Sequence, residues 1–166
     1  MKVMAVDYGD ARTGLAVSDA SGTLVGEAWV LTGEKAARLN TAARNIADEA
    51  FLRGVDIIVI GHPKNMDGSV GLRAEKSEEL AALIRKEFES RMSGDDAQGS
   101  ALERKSAEIA LWDERLTTVS AHKILSETGV FGRKRKKTVD AVAASLILEG
   151  YLLHLSRKQG AHDEGS

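Results

Sequence analysis

A chain of 166 residues with one proline and a formal net charge of −2 is sized for a single domain that buries roughly 70% of its unfolded surface. The absence of cysteine excludes disulfides, thiolate metal sites and a cysteine nucleophile. The slightly acidic balance means that any nucleic-acid contact must come from local basic clusters, and Asp7 follows Lys2 too soon for a signal peptide. No apolar run approaches the ~20 residues that span a membrane, so the expectation is a soluble cytoplasmic protein with no membrane partner.

The elements follow in chain order. Val3-Met4-Ala5-Val6 is an apolar run that ends in a carboxylate at Asp7; Tyr8-Gly9-Asp10-Ala11 is a polar turn, and Gly14-Leu15-Ala16-Val17 returns. This pattern predicts a β-hairpin whose buried first strand carries Asp7 to the edge of a sheet. Glu27 to Leu31 reads as a third strand, completing an antiparallel meander. Apolar residues at Ala43, Ile46, Ala47 and Ala50 predict a helix over Glu34–Arg53, stopped by Gly54. The unbroken run Ile57-Ile58-Val59-Ile60 suits a central strand covered on both faces. Helical spacing resumes at Leu80, Leu83, Ile84 and Phe88, after a polar loop in which Ser69 is a candidate helix cap. Ser93–Lys105 reads as a polar surface loop, Glu108–Trp112 as a fifth strand, and Thr118–Glu127 as a short helix stopped by Gly129. The basic run Arg133–Lys137 leads into a last helix from Val139 to about Leu155, with Thr138 as its cap; residues 157–166 read as a disordered tail behind a single domain over 1–156.

Right-handed crossovers make strands one, four and five parallel and place strand one centrally. The fold class is therefore α/β: a five-stranded mixed sheet, a three-strand antiparallel meander plus parallel strands, flanked by helices. Ligands of such sheets bind at the carboxyl ends of the parallel strands. Asp7 ends the first of these, Asp113 and Glu114 follow the fifth, and Asp140 opens the last helix, whose dipole would favour it. Each has a structural reading: Asp7 as a turn cap, the Asp113–Glu114 pair as partner of Arg115, Asp140 as helix capping. Converging carboxylates, however, repel and raise one another's pKa unless cations neutralise them. An oxygen-only set without cysteine or clustered histidine suits Mg²⁺ or Mn²⁺. One or two such ions point to metal-dependent phosphodiester hydrolysis.

Four blocks then stand out: VDYGDARTGLAVSD, IGHPKNMDGSVGLRA, WDERLTT and KTVDAVAASLILEGYL. In this order they resemble the YqgF/RuvX family of the RNase H-like superfamily, over about Lys2 to Leu153. The resemblance implies an RNase H-like fold and a metal-dependent nuclease that matures the 5′ end of pre-16S ribosomal RNA in ribosome biogenesis. The alternative it implies is a Holliday-junction resolvase in DNA recombination. It places catalytic and metal-binding roles on Asp7, Glu114 and Asp140. The chain departs from the family at His62, Lys64 and Leu72, where leucine, another apolar residue and proline are usual.

Nucleic acid, either precursor rRNA or branched DNA, is the expected partner, with the ribosome or its precursors as a further one. Arg12, Lys64, Asn65, Arg73 and Arg115 flank the proposed edge, and Arg133, Lys134, Arg135, Lys136 and Lys137 form a block beside Asp140. The cations among them give salt-sensitive backbone contacts, although a five-charge run also reads as a solvated segment. A resolvase would act as a homodimer. Two rival readings are a non-catalytic RNA- or ribosome-binding module and an actin-like ATPase, whose phosphate loop the Asp7-Tyr8-Gly9 stretch also resembles.

Overall fold

The computed structural model describes residues 1–36, 38–93, 106–116 and 133–163. Five strands form one sheet: β1 (Val3–Tyr8), β2 (Arg12–Ser18), β3 (Val25–Thr32), β4 (Ile57–His62) and β5 (Glu108–Asp113), in the order β3-β2-β1-β4-β5. Strands β1, β2 and β3 pair antiparallel, and β4 pairs parallel with both β1 and β5. The expected mixed sheet with a central first strand is what is observed. Among the described residues three helices flank it: α1 (Leu39–Leu52), α2 (Leu72–Ser93) and α3 (Arg133–Asp163).

Strand alternation divides the interior into two cores. Met4, Val6, Leu15, Val17, Ile58 and Ile60 pack with Ala42 and Ile46 of α1 and Leu80, Ile84 and Phe88 of α2. On the other face Val3, Ala5, Ala16 and Val59 pack with Ala144, Ile147, Leu148, Tyr151 and Leu152 of α3. Both faces of β4 are thus covered, which is why its sequence does not alternate.

Helix α1 stops as expected. Gly54 adopts φ 63°, and its N–H and that of Val55 donate to the carbonyls of Phe51 and Ala50 at 3.2 and 2.9 Å. Only glycine enters this left-handed turn without strain. The start of the helix differs from the Glu34 boundary. Gly33–Lys35 is a separate 3₁₀ turn, and Arg38 is extended just before α1. Nor does Ser69 cap α2: its N–H and hydroxyl both donate to Asp67 Oδ1, at 2.8 and 2.6 Å, and the helix opens three residues later.

The largest correction concerns α3. It starts at Arg133 rather than Val139, so Thr138 caps nothing, and Asp140 lies in the third turn, beyond reach of the N-terminal dipole. Arginine and lysine are strong helix formers, and nothing between Arg133 and Asp140 breaks a helix. At the other end the helix continues to Asp163 through most of the expected tail. Its stretch Val139–Gly160 is long and apolar enough, by length and composition alone, to cross a membrane, contrary to the reading of the sequence. Here one face of it is core. The expected helix Thr118–Glu127, and 94–105 of the polar loop, lie outside the described residues.

Gly14 seats α3 on the sheet. A Cβ at Gly14 would collide with the backbone carbonyl of Asp140 and stand 3.3 Å from Ala144 Cβ. A carbonyl locked in a helix cannot swing aside. Gly14→Ala is therefore expected to destabilise the protein by about 1–3 kcal/mol, read as a lower urea midpoint at an unchanged slope.

Candidate active site

Asp7 shares a strand face with Val3 and Ala5, so its carboxylate is directed to the α3 side of the sheet. It pairs across the hairpin with Gly14, the residue over which the Asp140 carbonyl lies. Glu114 comes from a 3₁₀ turn, Glu114–Leu116, directly after β5. Its carboxylate occupies the space above Gly61 of β4, where any Cβ would collide with Oε1. A glycine ending an apolar run is the one local sign of such a close approach. Asp7 and Glu114 thus come to the carboxyl edge of β1 and β4 within electrostatic reach of each other, and Asp140 acts on Asp7 from α3.

Their electrostatics differ. Burial, then the Asp140 charge, raises the Asp7 pKa to about 6, against a lowering by Arg73. Burial, then the Asp7 charge, raises Glu114 to about 7, again opposed by Arg73. Among the described residues no hydrogen-bond donor serves either carboxylate. Asp140 is paired: Arg12 Nε donates to its Oδ2 at 2.7 Å.

Asp113, next to Glu114, points elsewhere. Arg115 grips it through Nε and Nη2, at 3.0 and 2.6 Å, and holds its pKa at about 2. The ion-pair reading thus holds for Asp113 and, among the described residues, leaves Glu114 without a salt-bridge partner.

Of the basic residues expected at the edge, Arg73 stands at the start of α2, exposed and within electrostatic reach of Asp7 and Glu114. Lys64 lies within electrostatic reach of Asp113. Arg115 is engaged with Asp113, and Arg12 with Asp140. The Asn65 amide donates to Ser69 Oγ at 2.9 Å and so organises the loop. Residues 133–137 form the first turns of α3; their side chains lie outside the described structure. His62 takes no part: it is buried on the opposite face, with Nε2 2.8 Å from Glu78 Oε1. Sequence reasoning missed the Arg12–Asp140 pair and the clearance at Gly61.

The donor set suits a hard divalent cation, since Asp7 and Glu114 are oxygen ligands desolvated beside each other. Among the described residues, no three His, Asp or Glu side chains stand together as a finished cage. Asp140, the third acid, is held by Arg12.

The family model described as "RuvX: Holliday junction resolvase" matches residues 1–154. The chain belongs to the RuvX family. Similar curated proteins include the "Putative pre-16S rRNA nuclease" of Acetivibrio thermocellus, 36% identical over 92% of this chain and 95% of that one. Another of the same description, from Geobacillus kaustophilus, is 39% identical over 92% of this chain and 97% of its own. Among solved structures, T. thermophilus RuvC in complex with a Holliday junction substrate is similar at 13% identity and a TM-score of 0.48, covering 91% and 94% of the two chains. In the RuvX chain the meander and the parallel strands share a central β1.

The raised acidities have a signed consequence. The folded state holds protons on Asp7 and Glu114 more tightly than the unfolded chain, so ionising them costs stability as pH rises from about 4 to 7. Asp7→Asn is expected to melt a few degrees above wild type at pH 8, with the gain shrinking as pH falls from 6 towards 4. Melting curves across that range check it; equal curves at pH 8 contradict it.

Proposed function

We propose that this RuvX protein is a metal-dependent nuclease that hydrolyses phosphodiester bonds of structured nucleic acid, its task being 5′-end maturation of pre-16S rRNA in the cytoplasm. The observation that carries this is the Asp7–Glu114 pair. Two carboxylates desolvated side by side, with Arg73 the cation that opposes both shifts, are arranged for a ligand that brings positive charge. The relatives named for pre-16S rRNA support the substrate. The description of the matching model favours a second reading, a Holliday-junction resolvase working as a homodimer. A module that binds RNA or the ribosome without cleaving it is the remaining alternative.

In this reading Asp7, Glu114 and Asp140 hold one or two Mg²⁺ or Mn²⁺ ions. The bound metal supplies Lewis acidity and neutralises charge at the phosphate. Without a cation, burial and the Asp7 charge raise Glu114 to about 7; a bound cation would hold it ionised, as a ligand. Arg73 sits beside both acids, placed to draw a phosphate towards them. Lys64 and Arg115 extend positive charge along the edge, and residues 133–137 give backbone contacts that carry no sequence preference.

A direct test compares wild type with Asp7→Asn on a four-way DNA junction and a 5′-extended small-subunit rRNA precursor, with and without Mn²⁺. Wild type is expected to cleave the rRNA only with Mn²⁺, and Asp7→Asn to be slower by at least the ~10–100-fold that loss of a group supporting a metal costs. Cleavage of the junction alone selects the resolvase; binding without cleavage of either selects the module. Separately, replacing Arg133, Lys134, Arg135, Lys136 and Lys137 by glutamine is expected to weaken RNA binding. The slope of log affinity against log salt should flatten by about 0.7–0.9 for each phosphate that the protein ceases to neutralise. An unchanged slope would show that the run is only solvated.

A further inference from the structure

The pairing of Arg12 with Asp140 has the geometry of a built contact. Arg12, Gly14 and Ala16 alternate onto the α3 face of β2. Gly14 lies under the Asp140 carbonyl, and Arg12 Nε donates to Oδ2 of the same residue at 2.7 Å. Strand and helix are thus locked so that this guanidinium, two residues along, meets this carboxylate. Among the described residues it is the one side chain that hydrogen-bonds Asp140, and Asp140 does not stand with Asp7 and Glu114 as a cation cage. The contact is also labile in character, with Arg12 33% and Asp140 24% exposed. Pairs of this exposure contribute little and are screened by salt.

A guanidinium and a divalent cation compete for the same carboxylate oxygen. Once displaced, Arg12 keeps a planar fork of N–H donors that fits two oxygens of a phosphate. We propose that Arg12 is a positioning residue that exchanges partners: it holds Asp140 while the site lacks a divalent cation, and passes to a backbone phosphate of the nucleic acid when a cation takes Asp140. This rests on the reading of Asp140 as a cation ligand. Its consequence is coupling, since each of the two ligands favours the state in which the other binds, and the coupling is reciprocal.

The test uses the full-length protein. Mn²⁺ affinity is measured by calorimetry for wild type, Arg12→Gln, Asp140→Asn and the double variant at one ionic strength. Arg12→Gln is expected to bind Mn²⁺ roughly two- to five-fold more tightly than wild type, the factor set by breaking a partly exposed ion pair. The gain should vanish in the Asp140→Asn background. A gain that persists there would be a general effect of removing positive charge and would overturn the proposal, as would an unchanged Mn²⁺ affinity. Absence of Mn²⁺ binding by both wild type and Arg12→Gln would overturn the metal reading and this proposal together. Mn²⁺ binding without any effect of Arg12→Gln would overturn this proposal alone.

The second arm follows a fluorescent RNA stem-loop by anisotropy with and without Ca²⁺, under conditions in which gels show the strand intact. Ca²⁺ is expected to tighten RNA binding by wild type more than by Arg12→Gln. Equal tightening would show that the freed guanidinium does not reach a phosphate. Arg12→Lys keeps the charge and loses the fork; it should retain only part of the enhancement, and full retention would overturn the bidentate exchange.

Discussion

Helix α3 lies on strand β2 at Gly14, where the strand offers no Cβ, and the rest of the site depends on that contact. Gly14 admits the Asp140 carbonyl, and Gly61 leaves room for Glu114 and Ile147. Ala5 and Ala16 keep the same face shallow further along. The opposite face of these strands is filled by Met4, Val6, Leu15, Ile58 and Ile60. The sheet therefore holds α1 and α2 off with bulky side chains and draws α3 close where glycine replaces them. That asymmetry places carboxylates at one corner of a structural core.

This corner is held at an energetic cost. Asp7 and Asp113 both lie at the carboxyl ends of parallel strands, yet one is raised to about 6 and the other lowered to about 2. The difference is environment. Asp113 faces the rim and receives a forked arginine, whereas Asp7 faces the close-packed side beside another acid. A protein selected only for stability would pair or remove such a group. Its retention beside Glu114 is the physical reason for reading this corner as functional.

Cations around the site fall into two kinds. Arg12 and Arg115 are each committed to an aspartate in this structure, while Arg73 acts on the buried pair through space. The first kind orders side chains before any ligand arrives, and the second sets the local potential that a phosphate would meet. Charge around the site is thus organised even though the chain as a whole carries a net −2.

Much of this was legible from the chain. The apolar runs of β1 and β2 around a polar turn, the continuous run in β4 and the glycine after α1 are local signals. They determined the five strands, their mixed pairing and a central β1 carrying Asp7 to the sheet edge. Other features depended on the assembled fold. The depth of Asp140 within α3 followed from helix formation by the basic run ahead of it. The use of Asn65 inside its own loop followed from the turn with Ser69. The pairing of Arg12 with Asp140 joins residues 128 positions apart, a relation no local period encodes, because it exists only once β2 and α3 have come together at Gly14.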